Sequence, residues 1–319
     1  MNHKTIKAVG LLSGGLDSTL TVKLMIDQGV EVTVLNFISP FCTCTRKGCR
    51  HEALRVAELF DIPVKVVTVG EDYLEIIRNP EHGYGRNMNP CIDCRIFMFQ
   101  KAKIHMEEIG AHFIFTGEVL GQRPMSQHRK AMKIIEKESG LEGLVVRPLS
   151  AKLLPPTFPE EKQWIDREKL LSIQGRRRIP QMELADELGI KDYPCPAGGC
   201  RLTDPNFANR LRESFERGED TIKDIQLLKY GRHFRLKSGA KVVVGRNEEE
   251  NKILNGFFEK DDVLIEVTDV GSPVVLVKKT NGKEDVKEAS TLCIRYSDAE
   301  KEDKPNLRIQ YDSRCNIDL

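Results

Sequence analysis

The segment SGGLDS, Ser13–Ser18, sits between an apolar run, KAVGLL (7–12), and a helix-like run, STLTVKLMIDQ (18–28). A strand that turns through two glycines into a helix commits the chain to an α/β start. Gly14 and Gly15 permit backbone angles that side chains forbid and let backbone N–H groups approach a ligand closely. The helix N-terminus behind them adds partial positive charge, and together these make an anion site. Ser13 and Ser18 supply hydroxyl donors. Asp17 repels a phosphate unless Mg2+ bridges the two. The loop therefore reads as a site for a magnesium-bound polyphosphate. It is not a Walker loop, because the G-x-x-x-x-G-K-[ST] pattern is absent.

The first half of the chain continues the alternation. VEVTVLNF (30–37), VKVVTV (64–69) and HFIFTG (112–117) read as strands, and residues 51–60 and 92–108 as helices. Such alternation predicts a doubly wound parallel sheet with helices on both faces. Ligands bind at the carboxyl ends of such strands, so Asn36, Phe37 and Gly117 join Ser13, Gly14, Gly15, Asp17 and Ser18 as candidate nucleotide contacts. PQMELADELGI (180–190) is a further helix, with Pro180 in its first turn and Gly189 at its end. Past residue 216 the texture becomes short β-like runs: RHFRLKSGAKVVVGRN around Ser238-Gly239, DVLIEVTDV, and SPVVLVKKTNGKEDV, with one helix near 248–258. We expect two domains, 1–215 and 216–319, the second a smaller β-rich α+β unit with a charged, partly mobile tail after residue 298.

The nine cysteines are clustered: Cys42, Cys44 and Cys49; Cys91 and Cys94; Cys195 and Cys200; then Cys293 and Cys315 singly. The first residues have no apolar signal core, and no apolar run approaches the ~18 residues of a membrane span, so a cytoplasmic protein is expected. In a reducing compartment, clustered cysteines point to metal or redox chemistry. NPCIDC (Asn89–Cys94) places a C-x-x-C before a helix. Two such thiolates can bind one metal or can share and resolve a persulfide. Cys200, after the two glycines of CPAGGC, is the preferred third thiol over Cys195. An iron–sulfur cluster and a structural zinc site both stay open. Cys42, Cys44 and Cys49 form a candidate second metal site, share ligands with the first, or relay sulfur.

SGGLDS resembles the PP-loop, S-G-G-x-D-S, of the ATP pyrophosphatase superfamily. The resemblance implies that ATP binds there and that AMP is transferred to a substrate oxygen. TGEVLGQRPMSQ (Thr116–Gln127), with RPL (Arg147–Leu149) and Lys152, resembles the T-G-E-x-L-G-Q…S-Q…R-P-L…K run of tRNA 4-thiouridine synthetases. NPCIDC is similar to the N-P-C-x-x-C of the tRNA 2-thiouridine synthases. The resemblance covers roughly residues 5–210. It implies a tRNA uridine thiolase in which Asp17, Cys91, Cys94, Cys200 and Lys152 are catalytic. ATP adenylates a uridine carbonyl, Lys152 stabilises phosphate charge, and sulfur from a [4Fe-4S] cluster on Cys91, Cys94 and Cys200, or from a persulfide, displaces AMP. The usual 4-thiouridine enzymes carry an RNA-binding region ahead of the PP-loop, for which the twelve residues before Ser13 leave no room. The TGEVLGQ and RPL runs lean to 4-thiouridine and NPCIDC to 2-thiouridine. The alternatives are a PP-loop ligase using a nitrogen nucleophile and a non-catalytic nucleotide-sensing RNA-binding protein.

A thiolase must hold tRNA. The net charge is only +1, so a basic surface has to be local. GRRRI (175–179) is one such run. YGRHFRLKSGAKVVVGRNEEEN resembles the NFACT RNA-binding domain over roughly residues 225–280, which implies Arg232, His233, Arg235, Lys237, Lys241 and Arg246 as candidate RNA contacts. The sulfur donor is expected to be sulfide or a cysteine desulfurase persulfide, and a homodimer is one expected assembly.

Overall fold

The computed structural model describes residues 5–42, 48–191, 193, 199–300 and 305–311, with the backbone alone at 48 and 49. The chain divides into two compact units, Met1–Ala208 and Asn209–Leu319. In the first, β1 (Lys7–Leu11), β2 (Glu31–Ile38), β3 (Val64–Thr68), β4 (Phe113–Thr116) and β5 (Val145–Val146) form one sheet in the order β3-β2-β1-β4-β5. Every pairing in it is parallel. Successive strand residues point to opposite faces, and the packing follows that period. Ala8, Val32, Val34, Phe113 and Phe115 face α1 (Leu16–Ile26) and α2 (Gly48–Leu59). Val9, Leu35, Ile114 and Val145 face α4 (Cys91–Glu108) and α5 (Arg129–Glu138). Helices on both faces of a parallel sheet make the doubly wound fold that the sequence alternation predicts.

The strand order reverses between β1 and β4, the point where such sheets bind ligands. SGGLDS leaves β1 there and Gly117 leaves β4. A Cβ on Gly117 would lie 2.6 Å from the Ser18 backbone nitrogen and 2.7 Å from the Asp17 carbonyl carbon. Glycine here lets the end of β4 pack directly on the start of α1.

Three elements of this unit escape the sequence pattern. α3 (Glu71–Arg78) and α5 are short helices whose apolar residues occupy one narrow side, such as Ala131, Met132 and Ile135. β5 has two residues, below any periodic signal. α6 (Phe158–Glu161), α7 (Ile179–Glu187) and α8 (Pro205–Glu216) follow. The division between the units falls inside α8.

In the second unit, α9 (Ile222–Leu227) precedes an antiparallel sheet of β6 (Arg232–Arg235), β7 (Lys241–Val244), β8 (Val263–Val267), β9 (Val275–Lys278) and β10 (Leu307–Tyr311), in the order β10-β8-β9-β7-β6. α10 (Glu248–Asn255) covers one face through Leu254 on Val243, Leu264 and Leu276. α11 (Lys283–Arg295) covers the other. The strand-and-turn expectation for SPVVLVKKTNGKEDV holds as far as Lys278. Beyond it, Val286, Ala289 and Cys293 recur at helical spacing and bury against Val242, Val263 and Ile265, so the segment is helix. The expectation of a mobile tail after residue 298 is corrected at Leu307–Tyr311, which pairs with β8 as an edge strand. Among the described residues, no helix is long and apolar enough to cross a membrane.

Candidate active site

The SGGLDS turn is held by its own hydroxyls. The Ser18 hydroxyl donates to the Gly15 carbonyl at 2.8 Å, and Ser13 Oγ lies 3.2 Å from Ser18 Oγ. The two glycines do different jobs. Gly14 has φ +77°, and a Cβ there would lie 2.5 Å from Glu52 Cβ and 2.9 Å from the Glu52 carbonyl carbon. Gly15 caps α1 in ordinary extended geometry, φ −82°, and a Cβ there would meet only Ser13 Oγ at 3.5 Å. Left-handed strain explains Gly14 alone. Gly14→Ala is expected to cost about 2 kcal/mol of stability from that strain, read by urea denaturation. Gly15→Ala is expected to match the parent in the same measurement, since nothing in the protein crowds its Cβ.

Asp17 opens the first turn of α1. Its Oδ2 accepts from Gln122 Nε2 at 3.0 Å, while its Oδ1 is buried without a protein partner. A buried carboxylate oxygen left unpaired calls for a cation or a water, and a hard oxygen donor beside an anion loop suits Mg2+. Gln122 belongs to a closed turn. Gly121 N–H donates to the Gln127 carbonyl, Arg123 N–H donates to Gln127 Oε1 at 3.0 Å, and Gln127 is buried. Cys91, Glu118 and Asp17 all act on the charge of the adjacent Arg123, as does Arg95. Two consecutive residues thus connect the phosphate loop to the thiols.

Cys91 and Cys94 both lie in the first turn of α4, whose preceding residue, Pro90, provides no side-chain cap. The Tyr73 hydroxyl donates to Cys94 Sγ at 3.0 Å. Cys42 and Cys200 face each other in an isolated antiparallel bridge, and Arg201 N–H donates to the Phe41 carbonyl at 3.0 Å. Phe41 packs on Tyr73 and on Phe207, each with ring centroids 6.1 Å apart. None of these cysteines is in a disulfide. Burial raises the Cys91 thiol, against the pull of the Arg123 and Arg95 guanidiniums. Burial also raises Cys94. Cys200 is pushed up to about 12, first by burial and then by the neighbouring Cys94, Cys91 and Cys42 thiols. These are protonated thiols at neutral pH, close enough for one another's charge to be felt. Among the described residues, no three His, Cys, Asp or Glu side chains are placed to hold one metal ion. The donor type fits a thiophilic group, and the thiols share one neighbourhood rather than a closed ligand set. Cys44 and Cys195 lie outside the described residues, as does the side chain of Cys49.

The motif residues around this site are largely structural. Glu118, 1% exposed, accepts from Arg147 Nε at 3.0 Å and lies 3.3 Å from Arg95 Nε; Arg147 also pairs with Glu136. Burial opposes the Glu118 charge, but Arg95 and Arg147 outweigh it and hold the carboxyl below its usual range. The T-G-E and R-P-L runs therefore meet as one buried ion pair. Asn36 is buried and donates to the Leu12 carbonyl at 2.8 Å, bracing the strand that feeds the loop. Phe37 packs into the core with Leu11 and Val67. Lys152 donates to the Glu168 carbonyl at 2.7 Å and pairs with its carboxylate at 3.3 Å. That exposed pair is worth little. Gln122 lies in the T-G-E-x-L-G-Q run, which does not show its contact with Asp17, and Arg123 and Tyr73 carry no signal of their own in a single sequence, because their partners are remote in the chain.

Beside the loop lies a cavity of about 490 Å3 lined by Leu120, Gly121, His128, Arg129, Lys130, Gln174 and Gly175. The Gly175 N–H donates to the Leu120 carbonyl at 2.7 Å, which sets the exposed Arg176 and Arg177 next to this basic groove. In the second unit, three of the six candidate RNA contacts are committed elsewhere. Arg235 pairs with Glu213 and Glu219, Lys241 with Glu219, and Arg246 with Glu250. Burial, with Arg210 and Lys241 nearby, lowers His233 to about 3, so it is neutral. Arg232 and Lys237 remain exposed.

Residues 4–152 match the family model of the thiamine biosynthesis protein (ThiI), and residues 231–317 match that of the NFACT protein RNA binding domain. The chain is 32% identical over 120 residues to the tRNA-specific 2-thiouridylase MnmA 1 of Caldanaerobacter subterraneus subsp. tengcongensis, covering 33% of each. It is 29% identical over 221 residues to MnmA of Listeria monocytogenes, covering 66% of this chain and 57% of that one. The chain thus spans about a third of the length of the first of these relatives. A crystal structure of a 4-thiouridine synthetase–RNA complex with bound ATP aligns at 21% identity and a TM-score of 0.41, over 70% of this chain and 52% of that one.

Proposed function

We propose that this chain, whose residues 4–152 match the ThiI family model and whose residues 231–317 match that of the NFACT RNA binding domain, is a PP-loop tRNA thiouridine synthase that replaces a uridine carbonyl oxygen of tRNA with sulfur, in the cytoplasm. The observation that carries this reading is the turn at Gln122 and Arg123: Gln122 touches the carboxylate of the phosphate loop, and Arg123 lies within the electrostatic reach of Cys91. A reaction that adenylates an oxygen and then delivers sulfur to the same carbon needs those two sites side by side.

In the first step the uridine oxygen attacks the α-phosphate of ATP. A P–O bond forms, pyrophosphate leaves, and the oxygen becomes an adenylate ester. Backbone N–H groups at Ser13–Ser18 and the start of α1 would hold the phosphates. Asp17 would hold Mg2+ through its unpartnered Oδ1; the ion would supply charge neutralisation of the leaving pyrophosphate. Lys152 would swing from its exposed pair with Glu168 to the phosphates. In the second step a hydrosulfide adds to the activated carbon and loses its proton, and the C–O bond breaks with release of AMP. Cys91, Cys94 and Cys200 would hold an iron–sulfur cluster, which would supply the sulfur as an anion; a persulfide on one of them would instead release hydrosulfide when a second of these thiols attacks its inner sulfur and closes a disulfide between the two. Arg123 and Arg95, already facing Cys91, would stabilise the incoming negative charge. The groove beside Gly121 and Gly175, with Arg176 and Arg177, would take the RNA backbone.

The test is anaerobic incubation of the full chain with tRNA lacking thiouridine, ATP, Mg2+ and sulfide, followed by nucleoside mass analysis. Parent protein is expected to yield 4-thiouridine or 2-thiouridine together with AMP and pyrophosphate. Asp17→Asn is expected to yield neither nucleotide product nor thionucleoside. AMP release without any sulfur in the RNA would overturn the proposal.

A further inference from the structure

Two exposed arginines of the second unit that stand outside its ion-pair network reach the same aromatic ring. The Arg232 guanidinium lies 4.9 Å from the Tyr296 ring centroid and that of Arg295 lies 5.6 Å from it. Arg232 is on the edge strand β6, and Arg295 closes α11 immediately before Tyr296. Phe234 packs beneath, its ring centroid 5.9 Å from that of Tyr296. Both arginines are exposed, and among the described residues neither is paired with a carboxylate. The neighbouring Arg235, Lys241 and Arg246 all have such partners. Charge neutralised inside the fold cannot attract a polyanion, so the phosphate-seeking charge of this face is concentrated at Arg232, Arg295 and Lys237.

We propose that Arg232, Arg295 and Tyr296 form a stacking platform for unpaired bases of RNA. The proposal rests on the RNA-dependent function above and adds the form of RNA that this unit selects. A guanidinium plane presents a flat face to a nucleobase and its N–H fork to phosphate. Splayed bases stack on aromatic rings and on arginine planes, whereas bases within a duplex are already stacked on each other. Tyr296 fixes the arginines in place, and its backing by Phe234 holds the ring. The platform therefore favours a loop or a single-stranded end over a helix.

The experiment uses the full-length chain, a labelled oligouridylate and a labelled blunt RNA duplex, read by fluorescence anisotropy over a range of salt. Oligouridylate is expected to bind the parent more tightly than the duplex. Arg232→Ala and Arg295→Ala are each expected to flatten the slope of log affinity against log salt by about 0.7. Tyr296→Leu is expected to weaken binding about tenfold at every salt concentration, and Tyr296→Phe to bind as the parent does. Lys252→Ala, an exposed lysine paired with Glu248, is the unaffected control. Thermal melting of each variant verifies folding, and the arginine and Tyr296→Phe variants keep the test open should Tyr296→Leu not fold. Parental affinity and slope in both arginine variants, or duplex binding with the same Tyr296 dependence, would overturn the platform. So would loss of a protein partner in these variants with oligouridylate affinity intact. Thiolation by the parent with unaltered RNA binding in the variants would sink the platform alone. Platform-dependent oligouridylate binding by a chain that makes no thionucleoside would sink the thiolase reading alone.

Discussion

Cys200→Ala is expected to reduce thionucleoside formation on the order of 10³-fold or more, the scale seen when a group essential to covalent chemistry is removed, while AMP formation stays near the parental rate. The asymmetry follows from where the residue sits. Cys200 faces Cys42 across a two-residue bridge and lies in the field of Cys91 and Cys94, and among the described residues no hydrogen bond ties it to Ser13–Ser18. Its thiol, pushed up to about 12, is a weak nucleophile by itself and gains a role only once a sulfur anion or a metal enters the pocket. Anaerobically purified parent is expected to contain iron and acid-labile sulfide, and Cys200→Ala to lose both. The paired measurements are nucleoside mass analysis and AMP release on one sample. Equal loss of the two activities would mean that Cys200 supports the nucleotide site or the fold instead of the sulfur step.

Glu118→Ala is expected to destabilise the first unit by about 3–5 kcal/mol, the cost of leaving a buried charge uncompensated. Two guanidiniums, Arg147 and Arg95, converge on that one carboxylate, and Arg147 is itself buried. Against a total stability of about 5–15 kcal/mol for a typical domain, such a loss is large, and it would appear as a lower urea midpoint. Arg147→Met should fall less far, because Glu118 keeps Arg95. A Glu118→Ala midpoint equal to the parent's would show that the pair is not a structural tie. Loss of activity in either variant would report the fold before it reports chemistry.

The parallel sheet was legible because its strands are apolar and its helices are punctuated by Gly29 and Gly189 at their ends. SGGLDS was legible as an anion turn, yet only Gly14 of its two glycines is required by the backbone, a distinction set by Glu52 across the turn. Residues without a local pattern stayed hidden. Tyr73 reaches Cys94 from another helix. Gln122 was part of the T-G-E-x-L-G-Q run, yet its reach to Asp17 across more than a hundred residues was not visible there. Basic residues misled in the second unit, since a sequence shows the charge of Arg235 and Lys241 and not the Glu219 carboxylate that absorbs both. The T-G-E and R-P-L runs were legible as a family resemblance, and the structure shows that Glu118 and Arg147 within them form a buried clamp.

The Cys42–Cys200 bridge also fixes an order of events in time. The thiol pocket draws on the chain at residue 42, at residues 91–94 and again at residue 200. While the protein is being synthesised, the first of these segments emerges long before the last. Contacts between such distant segments form late, because the intervening loop must close first. The early thiols therefore wait, open to oxidants and to stray metal ions, until the strands and helices between them have folded. If the proposed sulfur site is correct, loading it is a finishing step of biogenesis, and the yield of active protein is expected to depend on how reducing the surroundings are during that wait.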